Sequence, residues 1–113
     1  MKSLLLSAAL AIGLVGSALF AQPAVAGLSA TGPTIVKIQD FAYTPTSVTI
    51  EAGQTVEWIN EDSAQHTATA HDGTFKSPNL NKGDKFSHTF AKAGTYTYYC
   101  AFHRGMRGTV VVK

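Results

Sequence analysis

Cys100, His103 and Met106 stand within seven residues of one another in the stretch YYCAFHRGM, and Cys100 is the only cysteine of the chain. A thiolate, an imidazole and a thioether are soft or borderline donors. With a second imidazole the set suits copper in both of its common oxidation states. Cu(I) favours soft sulfur and few ligands, whereas Cu(II) favours nitrogen and a flatter geometry. A site held between the two exchanges an electron with little rearrangement. Zinc fits less well, because structural zinc sites use Cys and His without Met and would want a second thiolate. The Cys-x-x-Cys-His spacing of haem attachment does not occur in the sequence.

The second imidazole must come from another segment, and three other histidines are present: His66, His71 and His88. His66 follows the polar stretch NEDSAQ, which itself follows a strand-like run. That places it at a strand end, where a site can open, and makes it the favoured donor. His71 lies five residues further on, and an odd separation along a strand turns a side chain to the opposite face. His88 lies mid-strand between Phe86 and Phe90, as a histidine beside an aromatic face does. His71 and His88 stay open as weaker alternatives.

A single cysteine cannot form an internal disulfide, and in an oxidising compartment an exposed thiol is a liability that a bound metal removes. The compartment is indicated at the start of the chain. Lys2 precedes an apolar run from Leu4 to Phe20, Pro23 breaks it, and Ala24-Val25-Ala26 is a small-x-small cleavage site. Residues 1–26 are therefore expected to be a cleaved signal peptide. No cysteine directly follows the run, which excludes a bacterial lipid anchor, and no twin arginine precedes it. The expected address is the periplasm, with a thylakoid lumen as the alternative, and no membrane insertion is expected after cleavage. Of the 113 residues 87 would remain, enough for one small domain. Nine basic residues, less Lys2, face seven acidic ones, so the remaining charge is +1, and no nucleic-acid surface is implied.

Residues 27–33 (GLSATGP) are small and polar and read as a flexible lead-in to a domain over 34–113. From there the periodicity is that of strands throughout. TIVKIQDFAY reads as a first strand, and SVTIEAGQTVEWIN as two strands about Ala52-Gly53. HTATA, DKFSHTF, GTYTYYC and GTVVVK follow. Val56 and Trp58 share one face, as do Phe86, His88 and Phe90, and as do Tyr96, Tyr98 and Cys100. Thr74 to Asn81 has no period and reads as an irregular loop or a turn of helix. Asn60 closes the strand before the NEDSAQ loop and is expected to pin that loop through its side chain. Lys76, Lys82, Lys85 and Lys92 read as a solvated face. About seven to eight short strands predict an all-β sandwich or barrel.

These residues carry a family resemblance. His66, Cys100, His103 and Met106 resemble the copper ligands of the cupredoxins, such as plastocyanin and pseudoazurin, and the spacing Cys-x2-His-x2-Met most resembles that of amicyanin. The likeness extends over most of Ile35 to Lys113, through FAYTPTSVTIEAGQTVEWIN, HTAT, FSHTFAKAGTYTYYC and MRGTVVV. The resemblance implies a Greek-key β-sandwich holding one copper and shuttling single electrons between larger redox proteins. Two positions depart from the family pattern. Thr67 stands where asparagine is frequent, although its amide can still bond the cysteine sulfur. Arg104 stands where proline is frequent, which places a charge beside His103.

A soluble, monomeric type 1 (blue) copper electron carrier is therefore the expected function. Copper handling or delivery is the alternative, and it is weakened because Met106 is the only methionine besides Met1. No enzymatic role is expected, since multicopper enzymes need clusters such as His-x-His that do not occur. The resemblance places partner docking near His103 through an apolar patch carrying Phe102. Arg104 and Arg107 flank it and suit an acidic redox partner.

Overall fold

A computed structural model describes residues Gly32–Lys113. The signal-peptide reading of 1–26 and all but the end of the 27–33 lead-in lie outside the described residues. Eight strands form, with no helix among the described residues: β1 (Thr34–Gln39), β2 (Ala42–Thr44), β3 (Ser47–Ile50), β4 (Thr55–Asn60), β5 (Thr69–Ala70), β6 (Lys85–Thr89), β7 (Gly94–Tyr99) and β8 (Arg107–Val112). They make two four-stranded sheets ordered β2-β1-β4-β6 and β3-β8-β7-β5. β1 runs parallel to β4 and β3 parallel to β8, while the other pairs are antiparallel. Parallel neighbours cannot be joined by a hairpin, so the chain crosses between sheets, as the expected Greek-key sandwich requires.

Period-two burial drives this arrangement. Val36 and Ile38 of β1, Val48 and Ile50 of β3, Val56 and Trp58 of β4, and Val110 and Val112 of β8 all point inward and are buried. The intervening β1 and β3 residues are exposed, apart from Thr34 at the half-buried start of β1. Between the sheets Trp58 meets Tyr98 edge-on at 5.3 Å and stacks on Phe75 at 5.1 Å. Tyr98 lies across its register partner Gly108, where a Cβ would fall 2.3 Å from the ring. Glycine is therefore the residue that lets β7 and β8 pair beneath that ring.

Two sequence expectations change in detail. TIVKIQDFAY is not one strand. It folds as the β1–β2 hairpin with Ile38 opposite Tyr43, and Asp40 and Phe41 turn at φ 54° and 57°. Such turns usually carry Asn or Gly, so the signal was hidden by an aromatic residue. HTATA supplies only the short β5, because His66 bridges Leu80 instead of continuing the strand. Thr74 to Asn81 is an irregular loop that buries Phe75, Ser77 and Leu80. Lys76, Lys82, Lys85 and Lys92 are exposed, as expected.

Candidate metal centre

Two chain segments meet at one end of the sandwich. The first follows β4. Asn60 is fully buried, and its Nδ2 donates to the carbonyls of Ala64 at 2.9 Å and Leu80 at 2.8 Å. Its Oδ1 accepts the Asp62 N–H at 2.9 Å. Asn60 thus pins the loop as its position in the sequence suggested. His66 then exchanges backbone hydrogen bonds with Leu80, of 3.1 and 2.8 Å, and is fully buried. The second segment is the β7–β8 connection. Cys100 follows the last residue of β7, and Met106 precedes the first of β8. The Cys100 N–H donates to the Met106 carbonyl at 3.2 Å, and the Met106 N–H to the His103 carbonyl at 2.8 Å. These two bonds close the loop and bring the backbones of Cys100, His103 and Met106 together.

His66 Nδ1 and His103 Nδ1 each lie 3.7 Å from Cys100 Sγ. All three donor atoms lie within 4.8 Å of one another. Cys100 is fully buried, Met106 is buried, and His103 is half-buried. Two imidazole nitrogens and one sulfur converging from segments more than thirty residues apart match the donor chemistry of copper better than that of zinc or magnesium. His71 and His88 are not brought in. His71 is exposed, bonded to Thr97 Oγ1 at 3.0 Å and packed on Tyr99 at 4.7 Å. His88 packs against Phe90 at 4.7 Å and Phe75 at 5.3 Å, and burial pushes its pKa below the usual imidazole value.

The surroundings hold the sulfur in place. The Thr67 N–H donates to Cys100 Sγ at 3.4 Å, as the sequence allowed, and Thr67 Oγ1 accepts the Ala101 N–H at 2.8 Å. Tyr43 Oη donates to the Thr67 carbonyl at 2.5 Å. Burial, reinforced by the Cys100 and Tyr98 charges, raises the Tyr43 phenol far above its ordinary range and keeps it a donor.

Two residues of the centre escaped the sequence reading. Asp62 Oδ2 lies 2.8 Å from His66 Nε2. Its carboxylate also accepts the N–H groups of Asp40 at 2.8 Å and Phe41 at 2.9 Å. Desolvation works against its charge, but the Phe41 and Asp40 amides and the His66 contact outweigh it, and the pKa falls below the usual carboxylate value. Phe41, half exposed, meets His66 edge-on at 5.0 Å and His103 at 4.8 Å. The four-residue offset from Asp62 to His66 was the one visible sign of the first. Nothing in the sequence pointed to Phe41.

The family model for the cupredoxin-like domain matches residues 8–112. The chain belongs to the cupredoxin family. Among cupredoxin relatives, amicyanin of Paracoccus denitrificans is 34% identical over 96 residues, covering 80% of this chain and 73% of that protein. Amicyanin-alpha of Methylorubrum extorquens is 34% identical over 119 aligned positions, covering all of both chains. Among solved structures, the Cu(I) form of an amicyanin mutant superposes with a TM-score of 0.70 at 37% identity, covering 74% of this chain and 85% of that one.

Proposed function

We propose that this cupredoxin is a type 1 copper electron carrier in which His66, Cys100 and His103 hold one copper and Met106 is its weak axial ligand. The observation that carries this reading is the convergence of His66 Nδ1, Cys100 Sγ and His103 Nδ1 within 4.8 Å. Bound copper would supply one-electron cycling between Cu(I) and Cu(II). The chain's part is to hold the donors still. The Cys100–Met106 and Met106–His103 backbone bonds fix the loop, Thr67 fixes the sulfur, and Asn60 fixes the segment that carries His66. Such rigidity keeps the geometry nearly the same in both oxidation states.

Electrons would pass through His103, the half-exposed histidine of the pair. Phe41 and Phe102, 51% and 48% exposed, give that edge an apolar rim for close contact with a redox partner. Arg104 and Arg107, both exposed, neighbour Tyr99 at the base of the same loop. Arg104 lies over the Tyr99 ring at 5.4 Å, and Arg107 is the register partner of Tyr99. This fixed positive charge suits an acidic partner. The leader reading of residues 1–26 implies export to the periplasm, where we read the protein as a monomeric carrier, not an enzyme. Among the described residues no helix is long and apolar enough to cross a membrane. Copper delivery is the second reading, and the full burial of His66 and Cys100 disfavours it, because a donor that hands metal over needs access.

Copper titration of single variants tests the ligand set. Cys100→Ser should abolish a thiolate-to-Cu(II) colour, and His66→Ala should disturb it strongly while His71→Ala leaves it intact. A colour that depends on His71 and not on His66 would overturn the assignment.

A further inference from the structure

Asp62 faces three donors at once. Its two oxygens accept the backbone N–H groups of Asp40 and Phe41, and Oδ2 also meets Nε2 of the fully buried His66 at 2.8 Å. A carboxylate that receives two amide donors is held in its acceptor form, and an ionised carboxylate can only accept. The proton between the two side chains therefore sits on Nε2. That leaves the Nδ1 lone pair pointing to Cys100 Sγ, 3.7 Å away. A hydrogen bond from the distal ring nitrogen to a carboxylate fixes ring orientation and raises ligand basicity. We propose that Asp62 is a positioning residue of the copper centre, which locks the metal-facing tautomer of His66, biases the site toward Cu(II), and holds Phe41 over the two histidines.

This inference rests on the copper reading above. The bias follows from charge. A carboxylate against the far side of a ligand ring favours the more positive oxidation state, so its removal should raise the potential. The third role follows from the turn. Asp40 and Phe41 adopt φ 54° and 57°, and an aromatic residue is uncommon in that region. The carboxylate satisfies both of their amides, and Phe41 is thereby placed edge-on to His66 and His103. A purely structural role would end there, with Asp62 as a staple for the hairpin and no effect on the metal.

The midpoint potential of the copper-loaded protein separates the two roles. Asp62→Asn should shift the Cu(II)/Cu(I) preference about tenfold toward Cu(I), read as a rise of about 59 mV for a one-electron couple. Asp40→Asn removes a carboxylate from the same turn without touching His66, and should leave the preference within roughly twofold because exposed charges are screened. Equal potentials in the two variants would overturn the proposal. Should Asp62→Asn fail to fold, nitrogen-resolved proton spectra of the unmutated, diamagnetic Cu(I) protein decide. A slowly exchanging, strongly deshielded Nε2 proton on His66 supports the proposal, and an unprotonated or freely exchanging Nε2 overturns it. Failure of the unmutated protein to bind copper would instead overturn the functional reading.

Discussion

Met106 differs in kind from the other three proposed donors. A thioether is a weak, long ligand, and in type 1 sites the axial position tunes potential more than it secures the metal. Here its backbone is tied to both Cys100 and His103, so the loop keeps its shape when the side chain changes. Met106→Leu should therefore retain one copper and raise the potential, and Met106→Gln should lower it. Metal analysis with voltammetry checks both, and loss of copper in the leucine variant would contradict a weak axial role. At this scale the sequence was nearly transparent. Cys100, His103 and Met106 stood out as candidate donors by spacing, and His66 by its place after a strand; His66, Cys100 and His103 do converge. Asp62 and Phe41 did not, because their importance lies in contacts across about twenty residues of chain. For Asp62 the offset to His66 was the one sign, and outside a helix a four-residue offset fixes no geometry.

The strands were legible wherever apolar residues alternate, as in Val56 and Trp58 or Val110 and Val112. The hairpin at Asp40-Phe41 was not, since only Asp40 of its two turn residues is a turn former, and Asp62 accepts both of their amides from far along the chain. The pairing of strands was illegible too. β3 and β4 are adjacent in sequence yet lie in different sheets, a choice made by the whole core. Two predictions belong to elements. Gly108→Ala would drive a Cβ to 2.3 Å from the fully buried Tyr98 ring. Overpacking of this kind costs about 1–3 kcal/mol, which denaturant unfolding should register. On β6, burial holds the His88 pKa below that of the unfolded chain. The unfolded state thus binds the proton more readily, and the stability His88 contributes is full above an imidazole pKa of about 6.5 and lost as pH falls through the lower folded value. Unfolding curves from pH 7 to 5 should fall more steeply for the parent than for His88→Gln. Identical slopes would contradict the assignment.

At the scale of the whole molecule, the proposed copper ligands, the apolar rim of Phe41 and Phe102, and Arg104 over the Tyr99 ring with Arg107 beside it in register cluster about the β7–β8 loop. The family likeness made an apolar patch at Phe102 flanked by Arg104 and Arg107 expected, but neither Phe41 in that rim nor the placing of Arg104 over Tyr99. Fixed charge beside an electron exit acts on encounter rate more than on final affinity. With an acidic redox protein, the bimolecular rate in stopped flow should fall as salt shortens the Debye length toward about 8 Å. Arg104→Glu with Arg107→Glu should slow it at low salt and leave the copper spectrum unchanged. A rate indifferent to both would leave the apolar rim as the docking determinant. The most direct test of the central claim is the visible and paramagnetic-resonance spectrum of the unmutated protein loaded with Cu(II). One equivalent of copper with an intense thiolate-to-copper band is the outcome a type 1 centre of His66, Cys100, His103 and Met106 requires. A weakly coloured protein whose copper signal is unaltered by Cys100→Ser would contradict it.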